Sequence, residues 1–109
     1  MAKHVFPLYL EGASVTVASG AINPNSTSTV FVNPGSADVS YTVADGEILG
    51  QVLYIQNLAS TNDANIAFTT AKDAGYNLVS LDNRAESCTY IWTSEGWAAL
   101  SGVGATFVS

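Results

Sequence analysis

Asp38-Val39-Ser40-Tyr41-Thr42-Val43 decides the fold class. Its apolar residues, Val39, Tyr41 and Val43, fall on every second position, with Asp38, Ser40 and Thr42 between them. Successive side chains of an extended chain point to opposite faces, so this spacing predicts a β-strand with one face toward a core. The same period recurs at Val15 and Val17 around Thr16, at Val30 and Val32 around Phe31, and at Cys88, Tyr90 and Trp92 around Thr89 and Ile91. Almost nothing repeats with the period of a helix, and the one helix-compatible stretch, residues 70–74, is a single turn at most.

Working outward, strands are predicted over 13–18, 29–33, 38–44, 48–56, 64–70, 76–81, 86–93, 96–101 and 104–108. Turn chemistry separates them. Asn23-Pro24-Asn25-Ser26 and Asn33-Pro34-Gly35-Ser36 combine a preset φ, a permissive glycine and side chains that bond their own backbone. Ala44-Asp45-Gly46-Glu47 reads as a hairpin of the Asp-Gly type. Ile48-Leu49-Gly50-Gln51-Val52-Leu53-Tyr54-Ile55 is apolar on both faces and reads as a central strand covered on both sides. Regularly spaced strands of this kind predict an all-β fold, an antiparallel β-sandwich or jelly roll in a single domain over residues 12–109. Residues 1–11 are apolar on both faces and contain Pro7, which has no N–H to give a ladder, so they read as an extended N-terminal arm or an edge strand.

Composition narrows the partners. Only 11% of the 109 residues are charged, against about 25% in ordinary soluble domains, so Ser, Thr, Asn and Ala occupy positions that Lys and Glu would hold on a free monomer. Such a surface suits burial against neighbouring subunits. The net charge is −6, and the three cations Lys3, Lys72 and Arg84 are scattered. Nucleic acid, which needs clustered cations to release counterions, is rejected as a partner, and so is an anionic membrane. No apolar run reaches the roughly 20 residues of a membrane span or forms a signal peptide. With a single cysteine, Cys88, in a predicted strand, synthesis and folding are expected in a reducing cytoplasm.

Reactive constellations are missing from the pattern. The one histidine, His4, sits in the leader with no orienting carboxylate, and no Gly-x-Ser-x-Gly elbow accompanies it. Asp45 and Glu47 explain themselves as turn residues, and Glu86 and Glu95 as solvated charges. One Cys and one His do not make a zinc site, and Asn62-Asp63 with Asp82-Asn83 is a weak calcium signal. The expectation is a non-enzyme without cofactor or metal. Trp92 and Trp97 bracket Thr93-Ser94-Glu95-Gly96 and are predicted to face each other across a hairpin. A core pair is the favoured reading. An aromatic platform for a sugar, drawn from Tyr76, Tyr90, Trp92 or Trp97, is the alternative.

Three segments carry a resemblance: Gly46-Glu47-Ile48-Leu49-Gly50-Gln51, then Leu53-Tyr54-Ile55-Gln56-Asn57, then Cys88-Thr89-Tyr90-Ile91-Trp92-Thr93-Ser94-Glu95-Gly96-Trp97. In this order, over about half of the chain, they resemble the small β-domains of tailed-bacteriophage virion proteins, both capsid decoration (cement) proteins and tail-fibre modules. The resemblance implies a structural protein on the virion surface, made in the host cytoplasm. It would bind the major capsid protein or other virion proteins as a homo-oligomer, with a trimer favoured. Reading from Met1 to the strand-like Ala105-Thr106-Phe107-Val108 as one whole domain favours decoration over fibre. The residues expected to meet the partner are Val5, Phe6, Leu8, Tyr9 and Leu10 of the leader. A tail-fibre, receptor-binding or carbohydrate-binding β-module is the other expectation.

Overall fold

A computed structural model describes residues 12–109; the leader, with its expected contact residues Val5, Phe6, Leu8, Tyr9 and Leu10, lies outside them. Ten strands form in chain order: β1 (Val15–Val17), β2 (Gly20–Ile22), β3 (Thr29–Val32), β4 (Val39–Val43), β5 (Val52–Asn57), β6 (Ala64–Phe68), β7 (Leu78–Leu81), β8 (Ser87–Thr93), β9 (Gly96–Val103) and β10 (Thr106–Val108). One 3-10 turn, Ala74–Tyr76, precedes β7. The strands make two five-stranded sheets, ordered β1-β3-β5-β8-β9 and β10-β7-β6-β4-β2. The domain is all-β, and both sheets are mixed.

The path of the chain corrects the antiparallel expectation. From β1 to β6 successive strands alternate between the sheets, so the chain winds as a flattened coil. Strands of successive coils lie side by side and parallel: β1 with β3, β3 with β5, β2 with β4, and β4 with β6. The remaining four pairings, β5–β8, β8–β9, β6–β7 and β7–β10, are antiparallel. Parallel neighbours need a long crossover, and here the strand in the opposite sheet supplies it. The turn signals were real but act differently. Asp45-Gly46 does not close a hairpin; it carries the chain from β4 in one sheet to β5 in the other. Gly46 is needed there for room, since a Cβ on it would lie 2.5 Å from Cγ of Trp92.

One core lies between the sheets. Val30, Val32, Leu53, Ile55, Cys88, Tyr90 and Trp97 enter it from the first sheet. Ile22, Tyr41, Val43, Ala64, Ile66, Phe68, Val79 and Leu81 enter it from the second. The rings of Phe68 and Tyr90 stack across the layers at 3.9 Å between centroids. Buried aromatic polar atoms reach backbone carbonyls: Trp97 Nε1 donates to Ala44 at 2.9 Å, Tyr90 to Tyr76 at 2.8 Å and Tyr41 to Ala18 at 2.9 Å. Each bond satisfies a donor that would otherwise be costly in an apolar interior.

Two buried amides hold the crossovers. Gln51 Oε1 accepts from the Glu47 and Ile48 amides at 2.9 and 3.0 Å, while Nε2 donates to Pro24 O at 2.6 Å and to Asn25 Oδ1 at 2.8 Å. All hydrogen-bonding positions of that amide are used, and the β4–β5 crossover is tied to the β2–β3 turn. Asn57 repeats the device at the far end of β5. Its Nδ2 donates to Leu81 O at 2.7 Å and to Asn62 O at 3.2 Å, and its Oδ1 accepts from the Ala59 amide at 2.8 Å.

No strand contains a charged residue: every charge among the described residues lies in a turn or crossover at the ends of the layers. Replacing Gln51 by leucine keeps apolar bulk but leaves the Glu47 and Ile48 amides unpaired. Urea unfolding of Gln51→Leu is expected to show a loss of about 2–4 kcal/mol, more than one ordinary hydrogen bond contributes.

Candidate functional site

Inward residues of the first sheet fix which residues face out. Two rows cross its outer face in register. One runs Thr16, Phe31, Gln56, Ser87, Val103; the other runs Thr29, Tyr54, Thr89, Ser101. Over the three middle strands these rows line a shallow groove of about 280 Å³, bordered by Phe31 and Tyr54. Tyr54 is 38% exposed. The lining is mainly apolar, with hydroxyls from Thr29, Ser87 and Thr89 and the amide of Gln56. No carboxylate, imidazole, amine or guanidinium lines it; its polar groups are the Thr29, Ser87 and Thr89 hydroxyls, the Tyr54 phenol and the Gln56 amide.

Beside the groove, β9 is the outer strand of the sheet and bears Leu100 and Val103, 57% and 67% exposed. A register shift after Thr89 leaves Leu100 unpaired, as in a β-bulge, which breaks the regular ladder near the sheet edge.

Trp92 and Trp97 pair directly across the β8–β9 hairpin, as expected, with rings edge-on at 5.3 Å. The connecting loop is the two residues Ser94 and Glu95, because Thr93 and Gly96 are themselves paired. Trp97 and Tyr90 are fully buried and present no ring to a sugar; of the four aromatics considered, only Tyr76 and Trp92 reach solvent. Tyr76 leans on Phe107 at 5.5 Å between centroids. Phe31 and Tyr54 were missed because they belong to strands distant in sequence. Ile48-to-Ile55 had read as covered on both faces, yet Tyr54 opens on the outer side and Ile48 and Leu49 lie exposed before β5 begins.

Asp38, Asp63, Asp82 and Glu86 gather at one end of the layers. Desolvation, and then repulsion from Asp82, Asp38 and Glu86, raises the Asp63 pKa above its ordinary value. Their oxygens serve the local backbone: the Asp63 amide donates to Asp38 Oδ1 at 2.8 Å and the Asp82 amide to Glu86 Oε1 at 2.6 Å. Among the described residues no group of three or more His, Cys, Asp or Glu side chains is placed to hold a metal ion. No helix among them is long and apolar enough to cross a membrane.

Cys88 is a core residue rather than a reactive one. Burial pushes its thiol from an ordinary 9.0 up to about 12, so the nucleophilic thiolate is scarce near neutrality. Burial also raises Tyr41, and burial followed by the Cys88 charge raises Tyr90.

No protein-family model matches the chain, and no curated protein matches it.

Two outcomes follow for this region. Trp97→Ala empties the largest buried side-chain volume and is expected to cost about 3–5 kcal/mol in thermal or urea unfolding. Alkaline titration provides the second. Below pH 9.0 the Cys88 thiol is protonated in both folded and unfolded chains, and its contribution to stability is complete. Between 9.0 and about 12 the unfolded chain ionises first, so stability falls as pH rises. The slope for one such group approaches about 1.4 kcal/mol per pH unit. Cys88→Ala should therefore show a shallower alkaline decline than the parent protein, whatever its stability at pH 7.

Proposed function

We propose that this protein is a structural virion component: a small β-sandwich that attaches to the outer surface of a phage capsid and stabilises it by burying area across subunit joints. The observation that carries this reading is the confinement of charge, among the described residues, to the ends of the layers. It leaves the sheet faces free of ionic groups whose desolvation would oppose docking. The resemblance of residues 46–57 and 88–97 to capsid decoration proteins supports the same reading. Attachment uses the leader, through Val5, Phe6, Leu8, Tyr9 and Leu10, together with the first sheet's outer face. The partners are the major capsid protein or a neighbouring virion protein, and the protein acts as a homo-oligomer, with a trimer favoured. A standard stable interface buries about 1,600 Å², and repetition over a shell adds avidity without any reactive group.

One observation favours a second reading, a tail-fibre or carbohydrate-binding module. The exposed Tyr54 ring borders the groove beside the Thr29, Ser87 and Thr89 hydroxyls, which suits stacking against a sugar face.

Mass spectrometry of purified virions tests the first reading: the chain is expected at a copy number near that of the major shell protein. Deleting residues 1–10 should abolish capsid attachment while the thermal melt of the domain is retained. Undiminished attachment removes the leader from the proposal. Quenching of tryptophan or tyrosine fluorescence by glycans, with no attachment to shells, would move the assignment to the second reading.

A further inference from the structure

We infer that the Asp45–Gly46 peptide is a site of spontaneous covalent rearrangement, where aspartate and glycine close to a cyclic imide that reopens as isoaspartate. This goes beyond the capsid reading, because it concerns the chemistry of the chain itself. The step needs a carboxyl and the next residue's amide nitrogen free to meet, with water at hand. Asp45 is exposed, on the crossover from β4 to β5. Among the described residues nothing is bonded to its carboxylate, and no acceptor takes the Gly46 N–H. Gly46 has no side chain to crowd the ring as it closes, and no other Asp or Asn in the chain precedes a glycine.

Elsewhere the fold closes the same route. The amide after Asp38 is held by Asp63 O at 3.0 Å, the one after Asn57 by Val32 O at 2.9 Å, and the one after Asn62 by Asp38 Oδ1 at 2.8 Å. Asn23 and Asn33 precede prolines, which have no N–H. At the crossover the anchors grip other atoms: Trp97 Nε1 holds Ala44 O, Asn25 Nδ2 holds Asp45 O, and Gln51 Oε1 holds the Glu47 amide. The Asp45 side chain and the Gly46 nitrogen are left free between them.

In the first step the Gly46 nitrogen attacks Cγ of the protonated Asp45 carboxyl. The N–Cγ bond forms, a Cγ–O bond breaks, and the hydroxyl leaves with the amide proton as water. A second water then opens the ring at either carbonyl. Opening at Cγ restores aspartate. Opening at the former main-chain carbonyl leaves the chain running through the Asp45 side chain, with a carboxylate on Cα. Nothing is oxidised or reduced.

Ageing of the full-length protein tests this. The parent and Asp45→Glu are held warm for weeks in neutral buffer, and the parent also in guanidinium chloride. Glutamate keeps the charge, but its closure needs a larger, slower-forming ring. Digests are read by mass spectrometry with electron-transfer fragmentation, which distinguishes isoaspartate from aspartate. Isoaspartate is expected at residue 45 of the folded parent, preceded by a form lighter by one water, and is expected to be missing from Asp45→Glu. Its rate should lie within about ten-fold of the unfolded rate, whereas folding slows Asp38, Asn57 and Asn62 by more, since their following amides first give up a hydrogen bond. Slowing at residue 45 as deep as at those three sites would overturn the proposal, by showing that the crossover's anchors lock this peptide too. An unconverted residue 45 in both folded and unfolded chains would overturn it equally. Neither result bears on whether the protein is found on virions, so this inference and the capsid reading fail separately.

Discussion

A primary amide sealed from water, that of Gln51, holds together the part of the chain that sequence periodicity does not control. Strands β1 to β6 each have good reason to bury one face. Nothing in their alternation compels the chain to change sheets after each of them. Gln51 supplies that instruction by binding its own crossover through its oxygen and the preceding coil through its nitrogen. A satisfied buried amide contributes only about 0.5–1.5 kcal/mol per bond, but an unsatisfied one costs about 1–3 kcal/mol. Its effect is therefore selective: a path that left this amide unpaired would be penalised more than the native path is rewarded. Asn57 applies the same rule at the opposite end of β5. β5 is thus pinned at both ends, and the groove is built on its outer side.

The strands were legible because their period is local. Val39-to-Val43, Cys88-to-Thr93 and the facing tryptophans need only their own neighbours to be read. β2 was missed: it has three residues, and Ile22 alone is buried. Direction was not legible at all. A strand shows the same alternation whether its neighbour runs parallel or antiparallel, and Asn-Pro and Asp-Gly turn a chain equally well into a hairpin or across to another sheet. The helix-compatible turn lay a few residues late, at Ala74–Tyr76. The groove was hidden for a related reason: Phe31, Tyr54 and Thr89 become neighbours only once the parallel pairing of β3 with β5 is known. Burial of Trp97 was readable from its size, and its bond to Ala44, on the opposite layer, was not.

Function rests on the same division. Inside, the Tyr41 and Tyr90 hydroxyls and the Trp97 indole are bonded to backbone carbonyls, and the Cys88 thiol is withheld by burial. Outside, the first sheet offers rings, methyls and neutral hydroxyls in two aligned rows. Under the reading proposed above, a surface of that composition would serve adhesion, by shape and neutral contacts.

Collecting every described charge at the tips of the layers has a consequence for solution behaviour. Mobile ions screen the tips within roughly 8 Å at physiological ionic strength, but they have nothing to screen on the sheet faces. Added salt thus quietens the repulsion between acidic ends while leaving any apolar contact made by the uncharged faces unscreened. Strongly excluded anions such as sulfate even reinforce it. In a molecule so divided, repulsion belongs to the ends, and the salt content of its surroundings sets how far it reaches.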